Sequence, residues 1–545
     1  MASTLVQRLG TNYSPSDSEI LQVKNLIAEP LRQLRALEAE IRQLQTTIAK
    51  LTAKREMLDA YVHPYQALIS PVRRMPGEIL AEVFLACLPT DRNCFMASSD
   101  VPILLGRICR SWRAISLATP GLWASLHIVA PPLKHKSAAP RLQAVDTWLA
   151  RSGQMPLSLS LQVGKEEPSA EHGSTYRGDW RAESYQTFLK RLIPFAKRWE
   201  HIRFLAHGAM LSIENMSPED LPMMKSLSLF FADDNHPTWR NYRILHSPRL
   251  SSLTTSARQY DPTVPIPWHQ LTDLTLGGRS LFSALTGESA LQFLSQCRQL
   301  RSCKLLIAER DEAQVHPSVE LPRLTTLEVE GVNWSLLLDR LSTPQLTQLV
   351  VRDCKVSMAT FLRSCVHLES LTMDSGKRKK STFLDNLRAI PPMLRHLTIH
   401  DCVHDPDPDD LENWGLSWLD DEVLAILTPA PNSSGAAPLL ETFTVTHCSR
   451  ISDSALEHFI RQRMIQPGAC VKPTLRRVCV QFDRHMQTDI QLALEDLSNT
   501  GLQVETEYTP SPSFPQWQWR GKASMALRDY DEHGFEGYDF VTIHG

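Results

Sequence analysis

A short leucine pattern, L-x-x-L-x-L, recurs along most of this 545-residue chain and limits the folds open to it. The L-x-L part places alternate side chains on one face of a short strand, and one unit cannot bury that face alone. Between residues 199 and 394, successive units begin about 21 to 29 residues apart. The pattern therefore predicts an α/β solenoid in which neighbouring units stack into a horseshoe. Clear units begin at Met224, Leu271, Leu324, Leu346, Leu368, Leu394, Leu440 and Leu475, and weaker ones at Trp199, Leu250 and Leu300.

Helical stretches at 281–296, 333–341 and 356–366 lie between the predicted strands and would form the convex side of the horseshoe. Residues between the core positions then point out of the concave sheet, which is the default binding surface of such a repeat. Their mixed charge and many hydroxyl groups suit a protein target better than a nucleic acid or a lipid. The side chains predicted to contact a target are Phe230, Thr326, Glu328, Glu330, Gln348, Arg352, Asp374, His396 and His400.

The segment from Cys448 to Leu456, CSRISDSAL, resembles the cysteine-containing leucine-rich repeat. The resemblance implies a leucine-rich-repeat solenoid, which we assign to residues 126–504. Residues 402–422, rich in Asp and Glu, are predicted to be an acidic insertion, and the aperiodic residues 505–545 a C-terminal tail. The spacing of aspartates in the insertion lacks the Gly and closing Glu of a calcium loop, so we expect solvated charge there.

Two short apolar helices are predicted within residues 70–125. Met75-Pro76 sets an extended entry, since the residue before Pro avoids helical geometry. Apolar side chains then recur at helical spacing, and a segment of this size is near the lower limit for burying its own core. Part of this apolar surface is therefore expected to meet a partner or the following domain. The two faces comprise Ile79, Leu80, Val83, Phe84 and Leu88, then Leu104, Leu105, Ile108, Trp112 and Ile115.

The order M-P-x-E-I-L-x-x-V-F, C-R-S-W-R and P-G-L-W within 75–123 resembles an F-box. The resemblance implies a helical module that docks on a Skp-type adaptor and through it on a cullin. Met75 stands where the family has Leu, and the spacer 89–102 is longer than usual and is expected to be a surface loop. The alternative is an ordinary helical hairpin in a larger core. The adaptor-binding residues implied are Met75, Pro76, Ile79, Leu80, Val83, Phe84, Leu88, Ile108, Cys109, Trp112, Leu122 and Trp123.

Residues 17–63 carry a heptad repeat, which is typical of a coiled coil. A capping box at Ser16 and Glu19 begins the predicted helix, and Pro64 is expected to end it. Pro30 at a d position and Arg55 at an a position break the repeat, so we expect a kink or restart near residue 30. The seam either forms a homodimer through residues 17–62 or folds back on the F-box-like region. The a positions are Ile20, Ile27, Leu34, Ile41, Ile48 and Val62, and the d positions Val23, Leu37, Leu44, Leu51 and Leu58. The layout of this helix before the F-box-like segment resembles that of fungal F-box proteins.

The net charge of −3 argues against a nucleic-acid partner, which would require a basic face. The eleven cysteines form no C-x-x-C pair, and we expect reduced thiols. The start of the chain lacks the features of a signal peptide, and no apolar run reaches the ~20 residues that span a bilayer. We therefore expect a cytoplasmic or nuclear protein that contacts no membrane. The run 377–380, KRKK, is either a nuclear-import signal or a solvated loop.

A search for catalytic motifs finds no nucleophile elbow, P-loop, zinc-protease helix or dinucleotide fingerprint. His396 and His400 alternate on one strand, but two histidines without further ligands are weak evidence for a metal. We expect no enzyme activity, cofactor or metal. The leading hypothesis is a substrate-recognition subunit of a Skp–cullin–F-box ubiquitin ligase that holds an unidentified target protein. The alternative is a non-ligase scaffold that dimerises through the N-terminal helix; a binding repeat alone would leave the F-box-like segment unexplained.

Overall fold

A computed structural model describes residues 12–164, 180–206, 213, 216–231, 243–255, 266–277, 285–307, 318–331, 335–352, 357–375, 380–401, 419–429, 435–464 and 474–509. The chain divides into two compact units, Met1–Val83 and Phe84–Gly545. Most of the predicted acidic insertion, the three basic residues 377–379 and the tail beyond residue 509 lie outside the described residues.

The first unit consists mainly of one helix, α1, Asp17–Ile69. The predicted capping box is present: the Ser16 N–H and hydroxyl both donate to the Glu19 carboxylate, at 2.9 and 2.8 Å. The predicted end at Pro64 and restart near Pro30 are wrong, because both prolines lie inside the helix. Each proline removes one backbone hydrogen bond, and the bonds before and after it hold the helical path. A short 3₁₀ turn, Pro71–Arg74, follows α1.

Three helices and a turn make up the F-box-like segment. Helix α2 spans Gly77–Ala86, beginning in the first unit and ending in the second. In the second unit, α3 spans Ile103–Ile108 and α4 spans Arg110–Ala118. Cys109 lies between them in extended geometry, and its Sγ accepts the N–H of Trp112 at 3.4 Å, which starts α4. A 3₁₀ turn, Pro120–Trp123, ends the segment.

In the described residues, the rest of the second unit is built on a parallel sheet of fourteen strands, and two further strands, Val319–Glu320 and Leu341–Ser342, form a separate pair. Apart from that pair, each strand bonds to the next one along the chain, which is the topology of an α/β repeat solenoid. The strands are β1 Ser125–Ala130, β2 Leu157–Val163, β3 Trp199–Ala206, β4 Ser226–Phe231, β5 Ser252–Thr255, β6 Asp273–Leu276, β7 Ser302–Ile307, β8 Val319–Glu320, β9 Thr326–Gly331, β10 Leu341–Ser342, β11 Gln348–Arg352, β12 Ser370–Asp374, β13 His396–His400, β14 Thr442–Cys448, β15 Arg477–Phe482 and β16 Gln503–Tyr508.

Helices occupy many of the connections between these strands. The predicted stretches 281–296, 333–341 and 356–366 contain the helices Gly287–Leu294, Ser335–Arg340 and Ala359–Ser364. Further 3₁₀ turns, such as Trp268–Gln270, replace an α-helix in the shorter connections. The helices are α5 Ala138–Arg151, α6 Trp180–Leu192, α7 Gly287–Leu294, α8 Ser335–Arg340, α9 Ala359–Ser364, α10 Lys380–Arg388, α11 Asp421–Leu427, α12 Asp453–Met464 and α13 Ile490–Ala493.

The second core position of the repeats, leucine in most of them, forms one continuous row across the sheet. Leu327, Leu349, Leu371 and Leu397 are register partners on successive strands, and all are fully buried. Burying a leucine side chain stabilises the fold by about 1.5–3 kcal/mol, so a stack of such rows supplies much of the core. The alternating buried and half-buried pattern of β9 and β11 leaves the intervening side chains on the opposite face.

The leucine pattern predicts eleven of the fourteen strands in the large sheet. Strands β1 and β2 precede the first predicted unit, and β16 follows the last. The predicted domain boundaries were therefore slightly misplaced: β1 begins at Ser125 and β16 runs through the expected boundary at 504. Among the described residues, no helix is long and apolar enough to cross a membrane.

Candidate protein-interaction site

The helical segment of the second unit has a closed aromatic interior. Phe84 is fully buried, and its ring lies 4.8 Å from that of Trp112. The Trp123 indole N–H donates to the Ser116 carbonyl at 2.8 Å, and the Trp123 ring lies 4.8 Å from the Trp148 ring of α5. These contacts join the F-box-like helices to the first helix of the solenoid.

Several apolar side chains of the same helices face solvent instead. In the second unit, Leu104, Ile108 and Leu117 are exposed, and Ile108 exposes 56% of its surface. Exposed apolar side chains grouped on short helices are typical of a protein contact. In the first unit, Ile79 and Val83 of α2 are exposed, one helical turn apart.

The spacer 89–102, expected to be a surface loop, instead packs on the sheet, and that expectation is wrong. The His127 N–H of β1 donates to the Cys94 carbonyl at 2.7 Å, and Phe95 forms a parallel bridge with His127. Asn93 holds three strand hydroxyls: Ser125 and Ser158 donate to its Oδ1 at 2.9 and 2.7 Å, and its Nδ2 donates to Ser160 at 3.0 Å. The spacer therefore covers the edge of β1, as a terminal cap of a repeat array does.

Burial and nearby charges shift the pKa values of two polar groups beneath this cap, His127 and Asp100. Burial lowers the pKa of His127 to about 4, assisted by the positive charges of Arg203 and Arg92. The His127 Nδ1 hydrogen bonds to the Ser160 hydroxyl at 2.7 Å. Burial opposes ionisation of Asp100, yet hydrogen bonds from Arg92 and the Phe95 N–H hold the pKa of this carboxyl below its usual range. The neutral ring of His127 and the ion pair between Arg92 and Asp100 thus hold the spacer on the sheet.

The face of the sheet opposite the leucines carries a second candidate surface. Its middle line of side chains, here named the central row, is in register from β1 to β16. The first three members, His127, Ser160 and Arg203, lie near the cap. The remaining members are Ser228, Thr254, Thr275, Lys304, Glu328, Val350, Thr372, Thr398, Thr444, Cys479 and Glu505.

The centre of this face holds a group of alternating charges. Lys304 lies 2.8 Å and Arg352 3.6 Å from the same Glu328 oxygen, so a positive residue flanks this carboxylate on each neighbouring strand. Next to this group the central row is uncharged for four strands, where Val350, Thr372, Thr398 and Thr444 are half-buried. The arrangement offers hydroxyl groups beside a charge cluster, which suits directional contacts with a peptide or protein.

Comparison with known proteins gives no family. No model of a known protein family matches the sequence, and no curated protein matches it. The chain is similar to an internalin of Listeria monocytogenes at 11% identity, over 72% of this chain and 90% of that chain, with a TM-score of 0.34. It is similar to a chain of the yeast Rad7 and Elc1 complex at 13% identity, over 81% and 96%, with a TM-score of 0.33. Because both TM-scores are low, the fold rests on the strand register of this chain alone.

The structure separates the predicted adaptor residues into an inner and an outer group. Leu80 is buried in the first unit, and Phe84, Leu122 and Trp123 are buried in the second. Leu88 and Trp112 are half-buried. The exposed members are Met75, Pro76, Ile79, Val83, Ile108 and Cys109.

The predicted target residues are also divided. Thr326, Gln348 and His396 belong to one register row that also includes Ser370. Phe230 lies on β4, separated from β9 by three strands. A larger set lies at the carboxyl ends of neighbouring strands: Glu330 pairs with Arg352 in register and Asp374 with His400. Asp374 is buried and is not available to a target in this structure.

Sequence reasoning missed Lys304, Val350 and Thr372 of the central row. Lys304 lies in the weak unit that begins at Leu300, where Cys303 replaces the second leucine. Because the leucine pattern is incomplete there, the sequence did not assign Lys304 to the face of the sheet opposite the core. Thr372 lies between the core positions Leu371 and Met373 of a clear unit and was detectable from spacing. Among the described residues, no group of three or more His, Cys, Asp or Glu is placed to hold a metal ion.

Proposed function

We propose that this protein is the substrate-recognition subunit of a Skp–cullin–F-box type ubiquitin ligase. The observation that carries the proposal is the division of the F-box-like residues. Phe84 packs on Trp112 inside the module, whereas Ile79, Val83 and Ile108 stay exposed at positions that the F-box resemblance assigns to the adaptor. Full burial of a fully exposed isoleucine contributes about 1.5–3 kcal/mol, and these half-exposed side chains would contribute roughly half of that each, so several of them together support a specific contact.

The packed spacer supports the same proposal. Asn93 and Cys94 bond to β1 and β2, and Trp123 packs on α5, so the helices after residue 84 are fixed to the first repeats. A substrate receptor acts by holding a target near the ubiquitin-loaded enzyme, which raises its effective concentration. A rigid link between the adaptor-binding helices and the repeats serves that purpose, and no catalytic side chain is needed.

The target would bind the face of the sheet that carries the central row. The charge group around Glu328 and the hydroxyls of Thr372 and Thr398 supply directional contacts over neighbouring strands. The non-ligase scaffold would use the same face but would have no use for the exposed residues of the F-box-like helices. The two functions therefore differ in one measurable contact.

Adaptor binding by an Ile108→Asp variant tests the proposal. Val366→Asp is the matched control, because Val366 is an isoleucine-like side chain that exposes 57% of its surface against 56% for Ile108 but lies after α9 in the repeats. We expect the purified full-length protein to capture a Skp-type adaptor, Ile108→Asp to lose it, and Val366→Asp to retain it. Failure of the unmodified protein to bind the adaptor, or equal binding by both variants, contradicts the ligase function.

A further inference from the structure

The longest helix of the protein exposes its heptad seam. Ile41, Leu44, Ile48 and Leu51 expose between 53% and 63% of their surfaces along the middle of α1. At 1.5 Å per residue, the 53 residues of α1 extend for about 80 Å. An apolar stripe of that length is typical of a helix that pairs with another helix. The sequence of α1 indicates which helix is the partner.

The identity of the apolar residues favours two strands. The a positions hold isoleucine at 20, 27, 41 and 48, and the d positions hold leucine at 37, 44, 51 and 58. In parallel coiled coils, β-branched residues at a with leucine at d favour a dimer over a trimer or tetramer. We therefore expect α1 to pair with one other helix that also has β-branched residues at a and leucine at d.

The charged residues beside the seam are complementary to a second copy. In a parallel, in-register pair, each g residue faces the e residue five positions later on the other helix. Lys54 then faces Asp59, an opposite charge, while Gln33 faces Glu38 and Glu40 faces Gln45. Glu19 would face Lys24, but Glu19 already caps its own helix. Among these flanking g–e pairs, no like charges meet in this register; the one like-charge pair is Arg55 with its own equivalent at an a position of the seam.

A slipped register loses this match. Moving one helix by a heptad places Glu40 opposite Glu38 and removes the contact between Lys54 and Asp59. The two breaks in the seam also favour the in-register pair. Pro30 and Arg55 each face their own equivalent only when the helices are in register, whereas a slip sets each of them against an apolar seam residue of the other helix. A polar residue at an a position is a known means of fixing register.

We propose that α1 pairs with α1 of a second copy of this chain in a parallel, in-register coiled coil of two strands. The pairing does not depend on the ligase function, because it uses only residues 17–69. It makes the protein a dimer that presents two copies of every surface in the second unit.

Sedimentation equilibrium of the full-length protein tests the dimer. Ile48→Asp places a charge in the seam, and Met57→Asp is the matched control, since both residues expose 63% of their surfaces but Met57 lies at a c position. We expect a dimer for the unmodified protein and for Met57→Asp, and a monomer for Ile48→Asp. A monomeric unmodified protein, or dissociation of both variants, overturns the proposal. Circular dichroism confirms that the helix persists in each variant.

Charge exchange tests orientation and register. Lys54→Glu or Asp59→Lys alone sets like charges opposite each other twice per dimer and weakens association by about tenfold. The double variant Lys54→Glu/Asp59→Lys exchanges the charges, and we expect it to restore dimerisation. In an antiparallel pair aligned over the whole helix, Asp59 instead faces Lys24. Rescue of Asp59→Lys by Lys24→Glu, and not by Lys54→Glu, would overturn the parallel arrangement.

Discussion

Gly331 shows how closely single residues are fitted in the repeats. It ends β9 with a φ of 115°, a conformation that L side chains rarely adopt. A Cβ atom at this position would lie 2.0 Å from the Ile307 carbonyl oxygen on the adjacent strand β7. Any side chain here strains the backbone and pushes two hydrogen-bonded strands apart.

We therefore expect Gly331→Ala to lower the free energy of unfolding by about 2–4 kcal/mol, measured by chemical denaturation. Gly287→Ala is the control, because Gly287 begins α7 and a Cβ there meets nothing within 4 Å. The control should be neutral or slightly stabilising, since alanine favours helix. Equal stability of the two variants would show that the close approach at Gly331 is not a constraint.

At the scale of elements, the contact between the spacer and β1 gives the protein a pH dependence. The His127 ring is buried and its pKa is lowered from 6.5 to about 4, mainly by burial and then by Arg203 and Arg92. Between these values the unfolded chain binds a proton that the folded chain excludes. The neutral ring therefore contributes its full stability above pH 6.5 and loses it as the pH falls toward 4.

We expect this loss to reach about 3 kcal/mol, and His127→Gln to flatten the stability profile in that window. Denaturant unfolding at several pH values measures it, with exposed His396→Gln as the control that keeps the profile. Asp100, whose pKa is lowered, loses its contribution at still lower pH, so the two effects separate. An unchanged profile for His127→Gln would assign the pH dependence to other groups.

Leucine spacing predicted the repeat elements because burial in the repeats has a simple period. Eleven strands follow from it, and the heptads and capping box gave the start of α1 at Asp17. Leucine spacing did not predict the elements that lack the full repeat pattern or that are held by long-range hydrogen bonds. Strand β2, LSLSLQV, alternates as a strand should but lacks the preceding leucine, and the cap residues Asn93 and Cys94 bond to strands far along the chain. Long-range hydrogen bonds of that kind leave no local period.

The candidate site was predictable to a similar degree. Helical spacing placed Ile79, Val83 and Ile108 on apolar faces, but only the structure separates them from buried Leu80 and Phe84. A face that is partly core and partly exposed has the same sequence period throughout. On the sheet, alternation gave Glu328 and Arg352, whereas the contact of Glu328 with Lys304 required the register between β7 and β9.

At the scale of the whole molecule, the second unit carries the proposed target surface and Ile108, one of the residues of the proposed adaptor surface. The helices with Ile108 and the strands with Thr398 belong to one compact unit, and the spacer and Trp123 fix the helices to the first repeats. The surfaces share no residue. Adaptor binding and target binding should therefore be separable by substitution, while ubiquitination of the target should need both.

Thr398→Arg and Ile108→Asp test this separation. Thr398 is half-buried in the uncharged part of the central row, so an arginine there introduces bulk and charge at the centre of the proposed target surface. Affinity capture with quantitative mass spectrometry should show that Thr398→Arg keeps the adaptor and loses the proteins captured through the repeats, whereas Ile108→Asp does the reverse. Thr147→Arg, the same change at an exposed site on α5, should keep both. Target ubiquitination in a reconstituted reaction should fail with either test variant and persist with the control. Loss of adaptor and target together from one variant would mean that the two surfaces are not independent.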